Sequence, residues 1–179
     1  MNEPAASAIE ELVAEAHRRG AHETKVIDTC LLTPRQWVRM KCQFGCPAYG
    51  TNYTCPPHVP GLGEVERFIG EYSTALMVEF VDLETLVDQK KVLKALHAME
   101  REALFAGLYK AFGIAAGPCH LCKVCKAAKG EPCHDIRPRP SLESLGIDVY
   151  ELANAAGFEL RPVHKKNDIF KSYGLLMLY

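Results

Sequence analysis

An apolar run, "TALMVEFV" (residues 74–81), lies near the middle of the sequence and is bounded by polar residues. An apolar run of this length predicts a buried strand. The stretch "SYGLLMLY", residues 172–179, is equally apolar. It suits either a central strand or the edge of a dimer, and we favour the central strand. Two such runs predict a sheet at the centre of the fold.

Weaker strand signals and several helical segments surround these two runs. Further strands are expected over Val26–Leu31, in "FGIAAG" (112–117) and in "FELRPV" (158–163). Helices are expected before Gly20, over Leu62–Tyr72, over Leu83–Phe112 and, broken, over 140–158 with Ser141 and Asp148 as candidate caps. This order predicts an α/β (α+β) fold, a mixed sheet flanked by helices, with two cysteine-rich metal-binding loops at strand ends.

Length and composition are those of an ordinary globular chain. We expect the 179 residues to form one domain, 1–179, and its net charge of −1 gives no reason to expect a nucleic-acid partner. The N-terminal segment lacks the features of a signal peptide, and no apolar run is long enough to span a bilayer. We therefore expect a cytoplasmic protein with no membrane partner. In that compartment, clustered cysteines bind metal more often than they pair as disulfides.

The segment "GPCHLCKVCKAAKGEPCHD", residues 117–135, holds four of the eight cysteines. They are Cys119, Cys122, Cys125 and Cys133. The first three resemble the C-x2-C-x2-C opening of bacterial ferredoxins, whose fourth cysteine comes after three residues and precedes proline. Here Cys133 comes after seven residues and follows Pro132. The spacing predicts a [4Fe–4S] iron–sulfur cluster, although Cys133 could also reach elsewhere.

Zinc is the main alternative for this segment. A structural zinc site usually combines two C-x2-C pairs, or one pair and histidines, across a longer insert. Three thiols at consecutive two-residue spacings fit that pattern poorly, although His120 and His134 could join them. The nearby cations could stabilise an anionic cluster, dock an acidic redox partner protein, or be a solvated loop surface. They are Lys123, Lys126, Lys129, Arg137 and Arg139.

The segment "KCQFGCPAYGTNYTCPPHVPG", residues 41–61, carries Cys42, Cys46 and Cys55, and its composition predicts a loop. Three cysteines are one short of a full thiolate shell. Cys30 could supply the fourth thiolate, His58 could coordinate through nitrogen, or one iron could stay open to a small-molecule ligand. Within its predicted strand, Cys30 is more simply explained as a small core residue.

Both cysteine segments resemble a known family. "KCQFGCPAYGTNYTCPPHVP" together with "GPCHLCKVC" and "EPCHDIRPRPSLESLGIDV" is similar to a family of small, cysteine-rich prokaryotic proteins described only as predicted metal-binding. The resemblance runs from about Val26 to the final strand. It implies metal ligation by Cys42, Cys46, Cys55, Cys119, Cys122, Cys125 and Cys133. It implies no defined reaction.

These features predict an iron–sulfur protein with one or two clusters. No dinucleotide-binding or P-loop glycine motif is present. The leading prediction is electron transfer, or an accessory redox role for a partner enzyme. An enzyme that uses an open iron as a Lewis acid, for hydration, dehydration or sulfur abstraction, is the second. A zinc-stabilised interaction module is the third.

Overall fold

The computed structural model describes residues 3–81, 83, 88–162 and 170–179. Within these ranges the chain forms five α-helices and four β-strands. The helices are α1 (Glu3–Arg18), α2 (Gln36–Gly45), α3 (Leu62–Ile69), α4 (Gln89–Phe105) and α5 (Val149–Ala155). The strands are β1 (Glu23–Asp28), β2 (Thr74–Phe80), β3 (Phe112–Ile114) and β4 (Ser172–Met177). None of the described helices is long and apolar enough to cross a membrane.

The four described strands form one sheet in the order β1-β2-β4-β3, and every neighbouring pair is antiparallel. The two apolar runs are its inner strands, with Leu76 of β2 opposite Leu176 of β4. The predicted α+β class and the central position of the last strand are therefore confirmed. The strand directions are antiparallel rather than mixed, and a parallel pairing occurs only as an isolated bridge between Ala115 and Ser141 among the described residues.

The sheet has a hydrophobic core on each face because successive side chains of a strand point to opposite sides. On one face, Leu76 and Leu176 pack with residues of α1 and α4. On the other face, Met77 and Leu175 pack with residues of α3, α5 and the segment 142–147. The helices thus cover both faces, as the apolar inner strands predict.

Several predicted boundaries move. Helix α3 ends at Ile69, before the predicted Tyr72. Helix α4 starts at Gln89 and ends at Phe105, before the predicted Phe112, which belongs to β3. Leu83, the predicted start, is not helical, and 84–87 lie outside the described residues. Asp148 is the N-cap of α5, as predicted, since its carboxylate accepts hydrogen bonds from the N–H groups of the first helical turn.

Three local predictions are wrong. Strand β1 ends at Asp28, whose carboxylate accepts the Cys30 N–H at 2.7 Å and caps a short 3₁₀ turn, Thr29–Leu31. Cys30 is consequently exposed rather than buried in a strand. Residues 158–162 form no strand, and Val163 lies outside the described residues. Cys42 lies in helix α2, not in a loop.

A buried carboxylate on β2 forms hydrogen bonds with residues on and near the neighbouring strand β4. Glu79 is 1% exposed and accepts hydrogen bonds from the Tyr173 hydroxyl at 2.5 Å and the Lys171 ammonium at 2.9 Å. The His22 ring lies 2.9 Å from its other oxygen. Burial acts to raise the pKa of Glu79, but these partners outweigh it and lower the pKa.

Candidate metal centres

The first cysteine group forms where α2 meets the loop that follows it. Cys42 lies in the last turns of α2, and the N–H of Cys46, the C-cap, donates to the Cys42 carbonyl at 3.3 Å. Cys55 is only 6% exposed, and its N–H donates to the carbonyl of Asn52 at 3.0 Å. Helix and loop together bring three cysteines of separate sequence positions to one region.

Burial and neighbouring charge disfavour the thiolate form of two of these cysteines. Burial raises the pKa of Cys55 to about 12, and the neighbouring Cys46, Cys42 and Glu143 add to the rise. Burial, Cys46 and Glu143 likewise raise the pKa of Cys42. Buried thiols close to a carboxylate hold their protons, so metal binding at this group must release them.

The first group opens onto a cavity of about 790 Å³, a volume that accommodates a small molecule. Cys42, Cys46 and Glu143 lie in its wall. Exposed aromatic residues of α2, including Trp37 and Phe44, form another part of the lining. The group is therefore accessible from a ligand-sized, largely apolar space.

Neither residue proposed from the sequence to complete this group lies on that cavity. Cys30 is exposed in its 3₁₀ turn beside Asp28. The His58 ring packs edge-on against Tyr53, with centroids 5.1 Å apart, and borders a different cavity together with Cys133. Two carboxylate residues lie in the wall instead, Glu143 and the α5 cap Asp148.

The second cysteine group gathers around a small cavity of about 20 Å³. Its four thiols all line this cavity: Cys119, Cys122, Cys125 and Cys133. Burial raises the pKa of Cys119, and the other three thiols add to the rise. Cys133 is exposed, so the group reaches the protein surface.

A buried hydrogen-bond network joins the two groups. The Cys119 N–H donates to the Thr54 hydroxyl at 3.1 Å, and the Asn52 amide donates to the Cys119 carbonyl at 3.0 Å. The Thr54 hydroxyl in turn donates to the Asn52 side-chain oxygen at 3.0 Å. Thr54 directly precedes Cys55. Cys55 of the first group is therefore connected to Cys119 of the second through the peptide bond to Thr54 and one hydrogen bond.

Three of the five cations noted beside the second segment are paired with carboxylates. Lys126 forms an ion pair with Glu131, and Arg137 forms one with Asp135. Arg139 pairs with Glu100 of α4. This pairing lowers the net positive charge that the segment presents to a partner.

The donor chemistry of both groups fits a thiolate-ligated metal centre. Four thiols line one cavity and three cluster in a second region. Among the described residues, however, no three His, Cys, Asp or Glu side chains converge as a bound metal ion requires. His134, a ligand in the zinc alternative, has its Nε2 4.0 Å from the Cys122 sulfur.

Sequence reasoning missed Asn52, Thr54 and Glu143 as members of these sites. The hydrogen bond between Asn52 and Cys119 joins positions 67 apart in the sequence. Glu143 approaches Cys42 across 101 positions. The only sequence signal for Glu143 was its place within the second family-like stretch.

Comparison with known proteins agrees with the predicted resemblance. A search of the curated proteins and a search of the solved structures found no match. The profile of the family described as predicted metal-binding protein (DUF2284) matches residues 25–178, which include all the cysteines. The chain belongs to this family of predicted metal-binding proteins.

Proposed function

We propose that this protein binds two iron–sulfur clusters, one at each cysteine group, and transfers electrons or serves a partner enzyme in an accessory redox role. The observation that carries the proposal is the hydrogen-bonded contact between the groups through Thr54 and Cys119. Bound iron–sulfur clusters supply reversible electron uptake, with potentials tuned by hydrogen bonds and solvent exposure.

Surface access supports the redox role. Electron exchange with a partner needs one centre close to the surface, and the second group reaches the surface at Cys133. Val124 and Ile136, which are 59% and 83% exposed, flank this group. An exposed apolar rim around an exposed ligand suits brief contact with a partner protein.

A reductive titration of anaerobically purified protein tests this function. The absorption should bleach and recover reversibly in two steps. Cys122→Ser should remove one step and Cys46→Ser the other, because each thiol belongs to a different group. Absorption that does not respond reversibly to reductant, in a protein that contains iron, would rule out the redox role.

Catalysis at an open iron is a second candidate function, and the 790 Å³ cavity beside Cys42 and Cys46 favours it. A Lewis-acidic metal polarises a bound oxygen group, and such chemistry needs a space for the substrate next to the metal. This function predicts that a small ligand such as cyanide changes the spectrum of one centre and leaves the other unchanged. A relay whose irons are all fully ligated would show no change at either centre.

A further inference from the structure

The first cysteine group lacks a fourth donor, and both donors suggested by the sequence lie elsewhere. Cys30 is exposed beside Asp28, and His58 faces Tyr53 and another cavity. The wall that carries Cys42 and Cys46 also contains two carboxylate residues, Asp148 and Glu143. The Asp148 carboxylate caps α5, whereas Glu143 lies close enough to Cys42 and Cys55 to raise the pKa of both thiols.

Glu143 is held next to α2 by contacts on both sides of the turn that contains it. The Cys42 sulfur lies 3.9 Å from the Glu143 carbonyl oxygen. The Arg39 guanidinium, one turn earlier on the same helix, donates to the Ser144 carbonyl at 2.7 Å. The helix that presents the first thiol therefore also fixes the segment that presents the carboxylate.

The turn itself is rigid. The Ser141 N–H donates to the Ser144 hydroxyl at 2.9 Å, and the Ser144 N–H donates to the Ser141 hydroxyl at 3.1 Å. Leu142 and Leu145 are 0% and 3% exposed and belong to the core on that face of the sheet. Glu143 thus projects from an anchored turn, which is the arrangement that a positioned ligand needs.

The carboxylate of Glu143 has capacity to bind a cation. Among the described residues it accepts one hydrogen bond, from the Gly117 N–H at 3.4 Å, and it forms no ion pair. An ionised carboxylate has about four acceptor positions. Carboxylate oxygen is an established ligand of protein-bound iron.

We propose that Glu143 is the fourth ligand of the first centre. Its carboxylate oxygen binds the one iron of that cluster that no cysteine binds. This inference rests on the iron–sulfur function proposed above. The oxygen ligand binds this iron less firmly than a thiolate would, so a molecule in the adjoining cavity can displace it. In the absence of such a molecule the first centre has four protein ligands, one of which can be displaced, whereas the second centre has four thiolates.

Loss of the unique iron provides a test that does not depend on activity. Mild oxidation with ferricyanide converts a four-iron cluster with one weakly held iron into a three-iron cluster, which electron paramagnetic resonance detects. Glu143→Gln keeps an acceptor for the Gly117 N–H but removes the anionic oxygen. We expect this variant to form the three-iron signal at least about tenfold faster than the wild type, as loss of a supporting metal ligand does.

Glu131→Gln is the matched control, because it removes an equal charge beside the second group. It should react at the wild-type rate. If the Glu143→Gln rate also equals the wild-type rate, the inference is overturned while the iron–sulfur function stands. If the wild-type protein contains no iron and sulfide, both are overturned.

A measurement on the wild type covers the case in which Glu143→Gln does not fold. Protein labelled with ¹³C at the glutamate side-chain carboxyl and reduced at its clusters should show a ¹³C hyperfine coupling by electron–nuclear double resonance. Glutamates that do not bind iron are too distant to give a strong coupling. A spectrum without such a coupling would overturn the inference.

Discussion

Replacement of Thr54 by valine tests whether the contact between the two cysteine groups is a structural element of the protein. Thr54 is 5% exposed, and its hydroxyl both accepts from the Cys119 N–H and donates to the Asn52 side-chain oxygen. Valine has nearly the same shape but cannot form either hydrogen bond. The substitution therefore removes the polar contact with little change in packing.

The expected magnitude follows from these two bonds. An N–H left without an acceptor costs about 1–3 kcal/mol, and the lost bond to Asn52 costs about 1 kcal/mol. Asn52 retains the hydrogen bond from the Thr54 N–H at 3.1 Å. The added buried methyl group returns about 0.8 kcal/mol. The net expectation is a loss of about 2 kcal/mol in the free energy of unfolding.

Urea unfolding of the metal-free protein, followed by circular dichroism, measures this loss. The midpoint should fall while the dependence on urea stays unchanged, because the exposed surface of the unfolded chain is the same. Thr51→Val is the control in the same loop, since its exposed hydroxyl donates only to the Pro47 carbonyl, at 3.2 Å. It should change stability by no more than about 0.5 kcal/mol. Equal effects of the two substitutions would show that the Thr54 hydroxyl makes no special contribution to stability.

Three further predictions concern separate features. Gly117→Ala should lower the free energy of unfolding by about 1–3 kcal/mol and reduce the iron content, because Gly117 has φ +61° and a Cβ there would overlap the Gln89 side chain. Gly130→Ala is the control for backbone strain alone, since Gly130 has φ +67° and open space around it. An equal loss of stability in the two variants would contradict the overlap with Gln89. Because the pKa of Glu79 is lowered in the folded state, its ionised carboxylate should contribute fully to stability above pH 4.5, and this contribution should be lost as the pH falls below that value. Glu79→Gln should make the urea midpoint less dependent on pH in this range. An unchanged pH dependence in the variant would contradict the role of Glu79. Cys30→Ala should leave the iron content unchanged by metal analysis, whereas a loss of iron would show that Cys30 is a ligand.

The parts of the fold that the sequence predicts are those with strong local patterns. The inner strands β2 and β4 are continuous apolar runs, and burial on both faces of the sheet requires that composition. Residues 158–162 form no strand for a tertiary reason, since Phe158 is buried in the core against Tyr173 instead of extending the sheet.

Helix α2 was missed although a signal was present. Trp37, Met40 and Phe44 recur at helical spacing, but their side chains stay exposed and line a cavity instead of a core. The glycine, proline and asparagine content of the following segment masked this periodicity. Composition alone therefore predicts a loop for a helix such as α2, whose apolar face lies outside the core.

The candidate sites, like the fold, are predicted from the sequence only in part. The cysteine spacings predict two groups, and the structure places the seven cysteines in two regions that match them. The approach of Glu143 to Cys42 depends on how the segment after β3 packs against α2, and no local pattern encodes such a contact. Cys30 lies outside its predicted strand for a local reason, because Asp28 caps the 3₁₀ turn that contains it.

The presence of two iron–sulfur clusters is tested by the iron and acid-labile sulfide content of anaerobically purified wild-type protein, measured together with its absorption spectrum. Two four-iron clusters predict about eight irons and eight sulfides per chain and a broad absorption band at about 400 nm. About four irons would leave a single cluster and require another account of Cys42, Cys46 and Cys55. Zinc without sulfide would contradict the redox function and indicate a structural metal module.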